Sequence, residues 1–567
     1  MRVLVIGLLL AFVGCDFDSS PMVETVENRC SGEGSCAEGV CSGDICIDSA
    51  GSSIEVTVEI LKDGQNETSS IPSSWAFAPE RFTGPSVRDW TLPTTREVRG
   101  TVRWDGARVP AKLRFVRRMP SSVDPLPPVP VEVDTTRVTS AADEQLSFDF
   151  SARLVAGETY DLIVLPTEDA VVSPQRTEAP AIRSLPPLYL EVTVDAASID
   201  PLRYDIEFPD AISFVCDSVE STGCSLQGQV LTFDGEVDVP AAGLQVRAVD
   251  VETGLVVSSV AQTTNSGRFA IRLGPDVTDY YIRITPSVGG LPFPAVSVVP
   301  AIVFSEINPA KVIRIPRLES VQYKGIVRDE AGGAVAGANL RFVSTGVFDD
   351  SELGLLGSFS GSASTNEDGT FGVALLPGVY SLQVIPPEEV ETAWGVLATE
   401  VTVVEQMDDA EAFVVPEKVE LIGGVTTFDG MPAPGLNVLA RARQSEDSGG
   451  MNRSQEVATD SEGDFLMQMD RGLYELRITT AHESGYGWIV QPELVIEESV
   501  VRSYALAPPV PVEGSVLSAD GEPVPGARLR AYAFAGEGDE RRLLQVAETL
   551  TDEEGRYRLL VAPRLAD

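Results

Sequence analysis

The chain has 567 residues, which is too long for a single hydrophobic core and therefore predicts several domains. A hydrophobic content of 43% excludes wholesale disorder. The formal net charge of −43 argues against binding of nucleic acid or anionic lipid through a general basic face, and it is typical of the solvated surface of an exported protein.

Residues 1–15 have the layout of a secretory signal. An apolar run from Val3 to Val13 is too short to span a bilayer, and Gly14 and Cys15 follow it. A cysteine directly after a small residue resembles the lipobox of bacterial lipoproteins. This resemblance implies that Cys15 receives a diacylglycerol thioether and becomes the first residue of the mature chain. Cleavage as an ordinary signal peptide is the alternative.

Later stretches of the sequence are neither long nor apolar enough to predict a transmembrane helix. We therefore expect a protein of the cell envelope that is held by its N-terminal lipid alone. The outer membrane or the cell surface is the expected location, and the inner membrane is the alternative.

The six other cysteines form two local groups that predict disulfide bonds. Gaps of five, four and four residues in the first group do not fit the C-x-x-C pairs of zinc sites, and its three possible pairings stay open. Residues 16–53 are thus predicted to be a tether and a disulfide knot, and they resemble the Cys/Gly-rich knots that follow the anchor in many bacterial surface lipoproteins. The groups are Cys30, Cys36, Cys41 and Cys46, and then Cys216 and Cys224.

Residues 54–97 begin with an alternating run in which Ile54, Val56, Val58 and Ile60 are apolar. This period of two predicts a half-buried strand, and a loop-rich stretch follows it. The pattern leaves open whether this N-terminal β segment is a small domain or supplies the first strands of the next one.

A repeated pattern then decides the fold class. The full pattern opens with Gly-x-Val and continues through an Asp-Gly turn, a Pro-Gly or Ala-Gly step and a Thr-Asp/Asn-x-x-Gly-x-Phe/Tyr turn to a Gly-x-Tyr-x-Leu-x-Val strand. The copies at Gly325, Gly423 and Gly514 follow it most clearly, and those at Gly100 and Gly228 follow it more loosely. Alternation with a period of two, without long helical periodicity, predicts an all-β chain of tandem antiparallel β-sandwiches. The copies open at Gly100, Gly228, Gly325, Gly423 and Gly514.

These motifs resemble the carboxypeptidase regulatory-like, or transthyretin-like, family of β-sandwiches, most clearly from residue 323 onward. The resemblance implies modules that serve as spacers, as adhesive units or as carbohydrate-binding-like domains. The last copy ends before a clear Gly-x-Tyr strand, so its completeness stays open. The predicted boundaries are 98–225 for a divergent first sandwich, 226–322, 323–419 and 420–510 for the next three, and 511–567 for the fifth.

Long polar insertions fall at the same place in several copies, between the second and third core strands. We expect them to emerge at equivalent ends of successive sandwiches, where loops on a rigid scaffold often carry binding. The alternative is that surface loops simply tolerate insertion. The insertions are Met119–Pro130, Gly346–Ser364, Gln444–Gln455 and Gly536–Arg541.

Catalytic chemistry is poorly represented in this sequence. His482 is the only histidine, which excludes Ser-His-Asp triads, Cys-His pairs and multi-histidine zinc sites. Motifs of the G-x-S-x-G, Walker or G-x-G-x-x-G type are absent from any strand-to-helix context. We expect a protein that is not an enzyme, and we assign no catalytic, cofactor or metal residue.

Three acidic turns raise the hypothesis of calcium binding. Asn366–Asp368, Asp460–Glu462 and Asp552–Glu554 place oxygen ligands close together. They lack the D-x-D-x-D-G spacing of a calcium loop, and a tight turn explains Asp or Asn before Gly by conformation alone. The structural turn is therefore the favoured interpretation.

Together these features predict a non-enzymatic, lipid-anchored scaffold that acts in surface display or adhesion. Its expected partners are the membrane, through the lipid, and either a polysaccharide or an envelope protein, but not nucleic acid. One alternative is a carbohydrate-binding surface protein, in which Trp394, Tyr486 or Trp488 stack on sugar rings, although packing within the fold is favoured for these isolated aromatics. The other is an accessory subunit of an envelope complex.

Overall fold

The computed structural model is all-β, which confirms the predicted fold class, and the described residues contain no helix. They are residues 40–42, 45–47, 54–62, 71–104, 107–118, 130–135, 149–167, 185–197, 201–208, 225–233, 237–274, 280–286, 295–298, 310–316, 321–345, 355–388, 394–404, 410–443, 452–481, 484–536, 541–562 and 564–566.

A hairpin and a group of short strands precede the first complete sandwich. The hairpin consists of β1 (Val40–Ser42) and β2 (Ile45–Ile47). The next strands are β3 (Ile54–Leu61), β4 (Ser74–Ala76), β5 (Glu80–Phe82), β6 (Ser86–Val87) and β7 (Trp90–Thr91).

Sandwiches 1 and 2 follow in the chain. Sandwich 1 contains β8 (Thr95–Gly100), β9 (Val102–Trp104), β10 (Ala107–Arg108), β11 (Ala111–Arg117), β12 (Val131–Asp134), β13 (Phe150–Val155), β14 (Thr159–Pro166), β15 (Leu188–Thr193), β16 (Leu202–Arg203) and β17 (Ile206–Phe208). Sandwich 2 contains β18 (Ser225–Phe233), β19 (Asp238–Pro240), β20 (Leu244–Asp250), β21 (Ala261–Gln262), β22 (Arg268–Arg272), β23 (Tyr280–Pro286), β24 (Ala295–Val298) and β25 (Ala310–Pro316).

Sandwiches 3, 4 and 5 complete the chain. Sandwich 3 contains β26 (Val321–Arg328), β27 (Asn339–Ser344), β28 (Leu355–Ser358), β29 (Ser360–Ser364), β30 (Thr370–Leu375), β31 (Gly378–Ile385), β32 (Leu397–Val403) and β33 (Glu411–Val414). Sandwich 4 contains β34 (Val419–Thr426), β35 (Asn437–Ala442), β36 (Gln455–Ala458), β37 (Asp464–Met469), β38 (Gly472–Thr479), β39 (Ile489–Ile496) and β40 (Val500–Ala505). The C-terminal strands of sandwich 5 are β41 (Val510–Leu517), β42 (Arg528–Ala535), β43 (Arg542–Leu550) and β44 (Arg556–Val561).

Sandwich 4 shows the pattern that the other sandwiches repeat. One sheet has the order β37-β34-β40, in which β34 and β40 are parallel, and the other has the antiparallel order β36-β35-β38-β39. Sandwich 3 has the corresponding orders β30-β26-β33 and β29-β27-β31-β32. The first and last strands of sandwiches 2, 3 and 4 therefore lie side by side and run in the same direction.

The fifth sandwich is assembled from both ends of the chain. Its β42 pairs with β43 on one side and with β3 on the other, and β4 continues that sheet. Its β41 pairs with β44 and, in parallel, with β6 and β7. The segment whose place the sequence left open thus supplies the fifth, sixth and seventh strands that residues 510–561 lack.

Each sandwich has its own hydrophobic core, because alternate residues of both sheets point inward. In sandwich 5 the buried Val56, Val58 and Ile60 of β3 pack with Val512 and Leu529 of the C-terminal strands. The described cores form five clusters, and the cluster of sandwich 5 also includes Val490 of sandwich 4.

Two features of the repeated motif have a direct packing reason. A Cβ added to Gly423 would lie 2.1 Å from the ring of Phe465, so the motif glycine makes room for the motif aromatic on the neighbouring strand. The tyrosine of the Gly-x-Tyr strand is fully buried, and in sandwich 4 the Tyr474 hydroxyl donates a hydrogen bond to the carbonyl of Asp470 at 2.7 Å. Tyr380 makes the same contact with Leu376 in sandwich 3.

Candidate functional surface at the sandwich junctions

The described residues include no group of three or more His, Cys, Asp and Glu side chains that could hold a metal ion. Nor does that part of the chain contain a helix with the length and apolar character needed to cross a membrane. Several residues singled out in the sequence lie outside the described residues, and what was expected of them stays a prediction: Cys15, Cys30, Cys36, Cys216, Cys224 and His482.

The hairpin of β1 and β2 bears on the predicted disulfide knot. Its register places the Cα atoms of Cys41 and Cys46 directly opposite each other. Opposed residues of an antiparallel pair have Cα atoms roughly 4.5–5.5 Å apart, which is within the range that a disulfide spans. The backbone is therefore compatible with a Cys41–Cys46 bond, and the disulfides themselves stay a prediction.

The acidic turns use their carboxylates to fix the turn. Asp460 Oδ1 accepts hydrogen bonds from the amides of Glu462 and Asp464 at 2.8 and 2.9 Å. Asp552 makes the same pair of contacts and also accepts a hydrogen bond from the Arg556 guanidinium at 2.9 Å. Desolvation raises the pKa of Asp552, but these amide and guanidinium contacts outweigh it and lower the pKa. The hydrogen bonds support the structural interpretation of the turns.

The junction between sandwiches 3 and 4 is built around a buried ion pair. Arg453 lies at the end of the insertion before β36, and its guanidinium binds both oxygens of Asp470 at 2.7 and 3.0 Å. The same guanidinium donates to the carbonyls of Trp394 at 2.7 Å and Pro386 at 3.2 Å, which belong to sandwich 3. Asp470 in turn accepts a hydrogen bond from the amide of Val396 at 3.0 Å. One pair thus ties two sandwiches together.

The electrostatics of this pair follow from its burial. The Asp470 side chain is only 1% exposed, and burial alone would raise its pKa, but the hydrogen bonds and charge of Arg453 hold the pKa below the usual range. Desolvation likewise opposes the charge of Arg453, and Asp470 nevertheless raises the pKa of the guanidinium. Both groups are therefore charged at neutral pH, and Lys418 and Glu388 also interact with the pair.

A polar insertion forms the junction between sandwiches 2 and 3. Strand β28 lies within the insertion of sandwich 3, and it pairs antiparallel with β24 of sandwich 2 from Ala295–Ser358 to Val298–Leu355. The insertion therefore extends the sheet of the neighbouring sandwich to five strands, in the order β21-β20-β23-β24-β28. This insertion therefore forms a contact surface, as expected for the insertions, but it contacts the neighbouring sandwich of the same chain.

The junction between sandwiches 4 and 5 combines apolar and polar contacts. Trp488 of sandwich 4 packs against the core cluster of sandwich 5, and the Arg477 guanidinium lies 5.8 Å from the centre of its ring. Arg477 also donates to the side-chain oxygen of Gln545 at 3.3 Å. The amide of Ala566 donates to the carbonyl of Val490 at 2.8 Å.

Sandwich 1 contacts both of its neighbours. The Tyr189 hydroxyl donates to the carbonyl of Val256 in sandwich 2 at 2.9 Å, and the Arg272 guanidinium of sandwich 2 lies 4.7 Å from the centre of the Trp104 ring. On the other side, the Arg117 guanidinium lies 3.9 Å from the centre of the Trp75 ring, which packs in sandwich 5. Each sandwich therefore contacts the next, and the fifth contacts the first.

The three aromatic residues considered for sugar stacking all take part in packing. Trp394 is partly buried against the core of sandwich 3, and Trp488 is partly buried against that of sandwich 5. Tyr486 packs on the core of sandwich 4, with its ring centre 6.0 Å from that of Phe428. Packing within the fold, which the sequence favoured, accounts for their positions.

Arg453 and Asp470 belong to none of the motifs that the sequence repeats. A signal was available, because Asp470 precedes the motif tyrosine by four residues, and the corresponding residue of sandwich 3 is the buried Leu376. A charged residue at a position that is apolar in the neighbouring repeat indicates a dedicated partner, since a buried charge is retained only when it is paired.

The fold and its junctions define a tandem β-sandwich protein. Neither a protein-family model nor a curated protein matches the chain. Among solved structures it is similar to a streptococcal ancillary pilin, with 10% identity and a TM-score of 0.21 over 57% of this chain and 99% of that one. The minor pilin of Streptococcus agalactiae shows 16% identity and a TM-score of 0.21 over 33% of this chain and 94% of that one. The shaft pilin SpaA of Lactobacillus rhamnosus GG shows 10% identity and a TM-score of 0.17 over 35% of this chain and 98% of that one.

Proposed function

We propose that this protein is a non-enzymatic, lipid-anchored scaffold of the cell envelope, built from carboxypeptidase regulatory-like sandwiches, that acts in surface display or adhesion. The observation that carries the proposal is the set of direct contacts at every junction between sandwiches. A chain of independently folded modules joined by flexible linkers would lack a buried pair such as Arg453–Asp470 or a shared sheet such as β24–β28. Joined modules of this kind suit a load-bearing or spacing role.

Attachment through Cys15 is the part of the proposal that is most directly testable. The Cys15→Ser variant cannot form the thioether, so it should lose labelling by an alkyne fatty acid and move from the membrane to the soluble fraction of cells. Cys30→Ser is the matched control, because it alters the predicted knot and leaves the anchor in place; it should stay in the membrane fraction. Retention of both label and membrane association by Cys15→Ser would refute lipid anchoring at this residue.

Surface display needs a second measurement. Intact cells treated with a protease should lose the sandwiches while an internal marker protein survives. Protection of the sandwiches in intact cells, with digestion only after lysis, would place the protein on the inner side of the envelope and argue against display. A partner that co-purifies from detergent extracts in fixed ratio would instead support the accessory-subunit alternative.

Glycan binding is the other alternative, and the partial burial of Trp394 and Trp488 weighs against it. Specific binding on a glycan array that disappears in Trp488→Ala, while the fold of the variant is retained, would favour it over a scaffold without a ligand.

A further inference from the structure

The N-terminal strands pair with sandwich 5 in the same register as the corresponding strands within sandwich 4. Val58 stands opposite Ala531, and Ile60 stands opposite Leu529. In sandwich 4 the Gly-x-Tyr strand, β38, makes the equivalent pairs, Leu476 with Ala440 and Ile478 with Val438. Strand β3 therefore takes the place of the Gly-x-Tyr strand that the C-terminal sequence lacks.

The last strand ends in the same way in sandwiches 3, 4 and 5. The amide of Leu92 donates to the carbonyl of Leu517 at 2.8 Å, as Leu506 does to Thr426 at 2.8 Å and Val415 does to Arg328 at 2.9 Å. In each case the next sandwich begins within a few residues, at β8, β41 and β34. The step from the N-terminal segment into sandwich 1 is thus an ordinary junction between sandwiches.

Polar contacts show that this segment is a built-in part of sandwich 5. Asp89 Oδ1 accepts a hydrogen bond from the amide of Ser515 at 2.8 Å, and the Tyr557 hydroxyl donates to the carbonyl of Arg88 at 2.7 Å. The Tyr532 hydroxyl donates to Glu59 at 3.1 Å, and burial together with this carboxylate raises the pKa of Tyr532 to about 12. Sandwich 1 makes the counterpart of the first contact, from the Thr101 amide to Asp205 at 3.0 Å.

We propose that sandwich 5 is a joint between copies of this chain. The donor segment, residues 54–92, of one copy completes the acceptor half, residues 510–561, of a second copy, so that chains link head to tail. Because the donor segment leads into sandwich 1 through an ordinary junction, the series of sandwiches continues from chain to chain without interruption. The partner is another copy of this chain, and the interaction is exchange of β-strands with an established register.

The closed and linked forms share every contact within sandwich 5, so those contacts do not choose between them. Closure within one chain requires the five successive junctions to bring sandwich 5 back against sandwich 1, whereas linkage between chains carries no such requirement. Exchange of identical elements between copies is a low-cost route to assembly, and a head-to-tail interface that does not close gives a filament. The ratio of the closed monomer to the linked form depends on the chain concentration and on the free energy needed to bend the series of sandwiches until sandwich 5 meets the donor segment of the same chain.

Two variants that each add one cysteine to the seven of the chain provide the test, because Val87 and Glu513 are Cα partners on β6 and β41, and the Val87 side chain is 84% exposed. Full-length Val87→Cys and Glu513→Cys proteins are mixed in equal amounts, unfolded, refolded together and oxidised. A disulfide between positions 87 and 513 can then form only between chains. We expect a product of twice the chain mass, with the linked 87–513 peptide identified by mass spectrometry, and its yield should rise with protein concentration.

The double variant Val87→Cys/Glu513→Cys separates the outcomes. A ladder of multiples of the chain mass supports linkage, whereas an internally linked monomer together with no product from the mixture overturns the proposal. Absence of any 87–513 disulfide in the double variant would overturn the pairing itself. Gly514→Ala is the control for specificity, since its Cβ would lie 2.0 Å from the Arg88 carbonyl oxygen; added to the double variant, it should abolish the linkage while exchange protection in sandwich 3 is unchanged.

Discussion

A single glycine in each repeat shows how one residue selects the packing of a sandwich. The ring of Phe371 lies over Gly325 on the neighbouring strand, where a Cβ would come within 2.6 Å of the ring and 2.9 Å of the Glu411 carbonyl oxygen. The small residue and the aromatic residue are therefore two halves of one contact. Their joint recurrence in the sequence signals the fold even where the intervening residues differ.

The variant Gly325→Ala should destabilise sandwich 3 by about 1–3 kcal/mol, because overpacking forces the Phe371 ring or the backbone to move. Gly372→Ala is the matched control, since Gly372 lies opposite Lys324 on the same pair of strands and its added Cβ would meet nothing within 4 Å. Hydrogen exchange followed by mass spectrometry resolves the sandwich concerned: β26 and β30 should exchange faster in Gly325→Ala alone, by roughly tenfold for each 1.4 kcal/mol. Equal exchange in the two variants would contradict this packing argument.

The ion pair at the junction of sandwiches 3 and 4 gives the second residue-scale prediction. Asp470→Asn leaves the buried Arg453 without its counter-charge, and breaking one side of a buried pair costs about 3–5 kcal/mol. We expect faster hydrogen exchange at residues 394–404, where the Val396 amide donates to Asp470, because the neutral amide oxygen of the variant is a weaker acceptor than the carboxylate. Asp238→Asn, which removes the exposed partner of Arg314, is the control and should leave that peptide unchanged.

The same pair sets a pH dependence with a definite sign. Because the pKa of Asp470 is lowered in the folded protein, its contribution is fully present above the unfolded value of about 3.9 and is lost as the pH falls through the folded value. The junction should therefore hold from neutral pH down to about pH 4 and loosen below it. In Asp470→Asn, exchange at residues 394–404 should be fast throughout and should lose this acid transition.

At the scale of elements, the alternating pattern was enough to predict strands but not their partners. The alternating run from Ile54 to Ile60 predicts a half-buried strand; its four apolar residues are buried, but so are Thr57 and Glu59 on the opposite face. Its place between β42 and β4 could not be predicted, because alternation specifies which face is buried and carries no information about a partner far along the chain. The strand partners are easier to predict in repeats that contain all their strands, since each partner lies within the same motif.

The pairing of β28 with β24 gives an element-scale prediction. Replacement of residues 346–358 by a short Gly/Ser turn should leave β27 and β29 joined as a hairpin but make β24 an edge strand. Amides of residues 295–298 should then exchange faster. Deletion of residues 537–540, between β42 and β43 of sandwich 5, is the control, because it shortens the chain between two strands without touching sandwich 2. Unchanged protection at residues 295–298 in the first variant would show that the shared sheet does not form.

At the scale of the whole molecule, the two ends of the chain stabilise one another. Val58→Asp places a charge in the core of sandwich 5, which should destabilise that sandwich by roughly 3 kcal/mol or more. Exchange should therefore accelerate in β42 and β44 at the far end of the sequence, whereas β11 and β14 of sandwich 1 should keep their protection. Glu55→Ala is the control, since Glu55 is an exposed residue of the same strand. Acceleration confined to sandwich 1 would contradict the assembly of sandwich 5 from both termini.

The split construction of sandwich 5 also orders events during synthesis. Glu59 of β3 and Tyr532 of β42 are 473 residues apart, so β3 leaves the ribosome well before the strand that covers it. At roughly 5–20 residues per second, the delay is on the order of 20–100 s. During that interval the valine and isoleucine side chains of β3 are exposed, and an unpaired apolar strand is prone to non-native pairing and aggregation. Within a single chain, β3 can therefore be covered by β42 only after the residues up to the end of β42 have been synthesised.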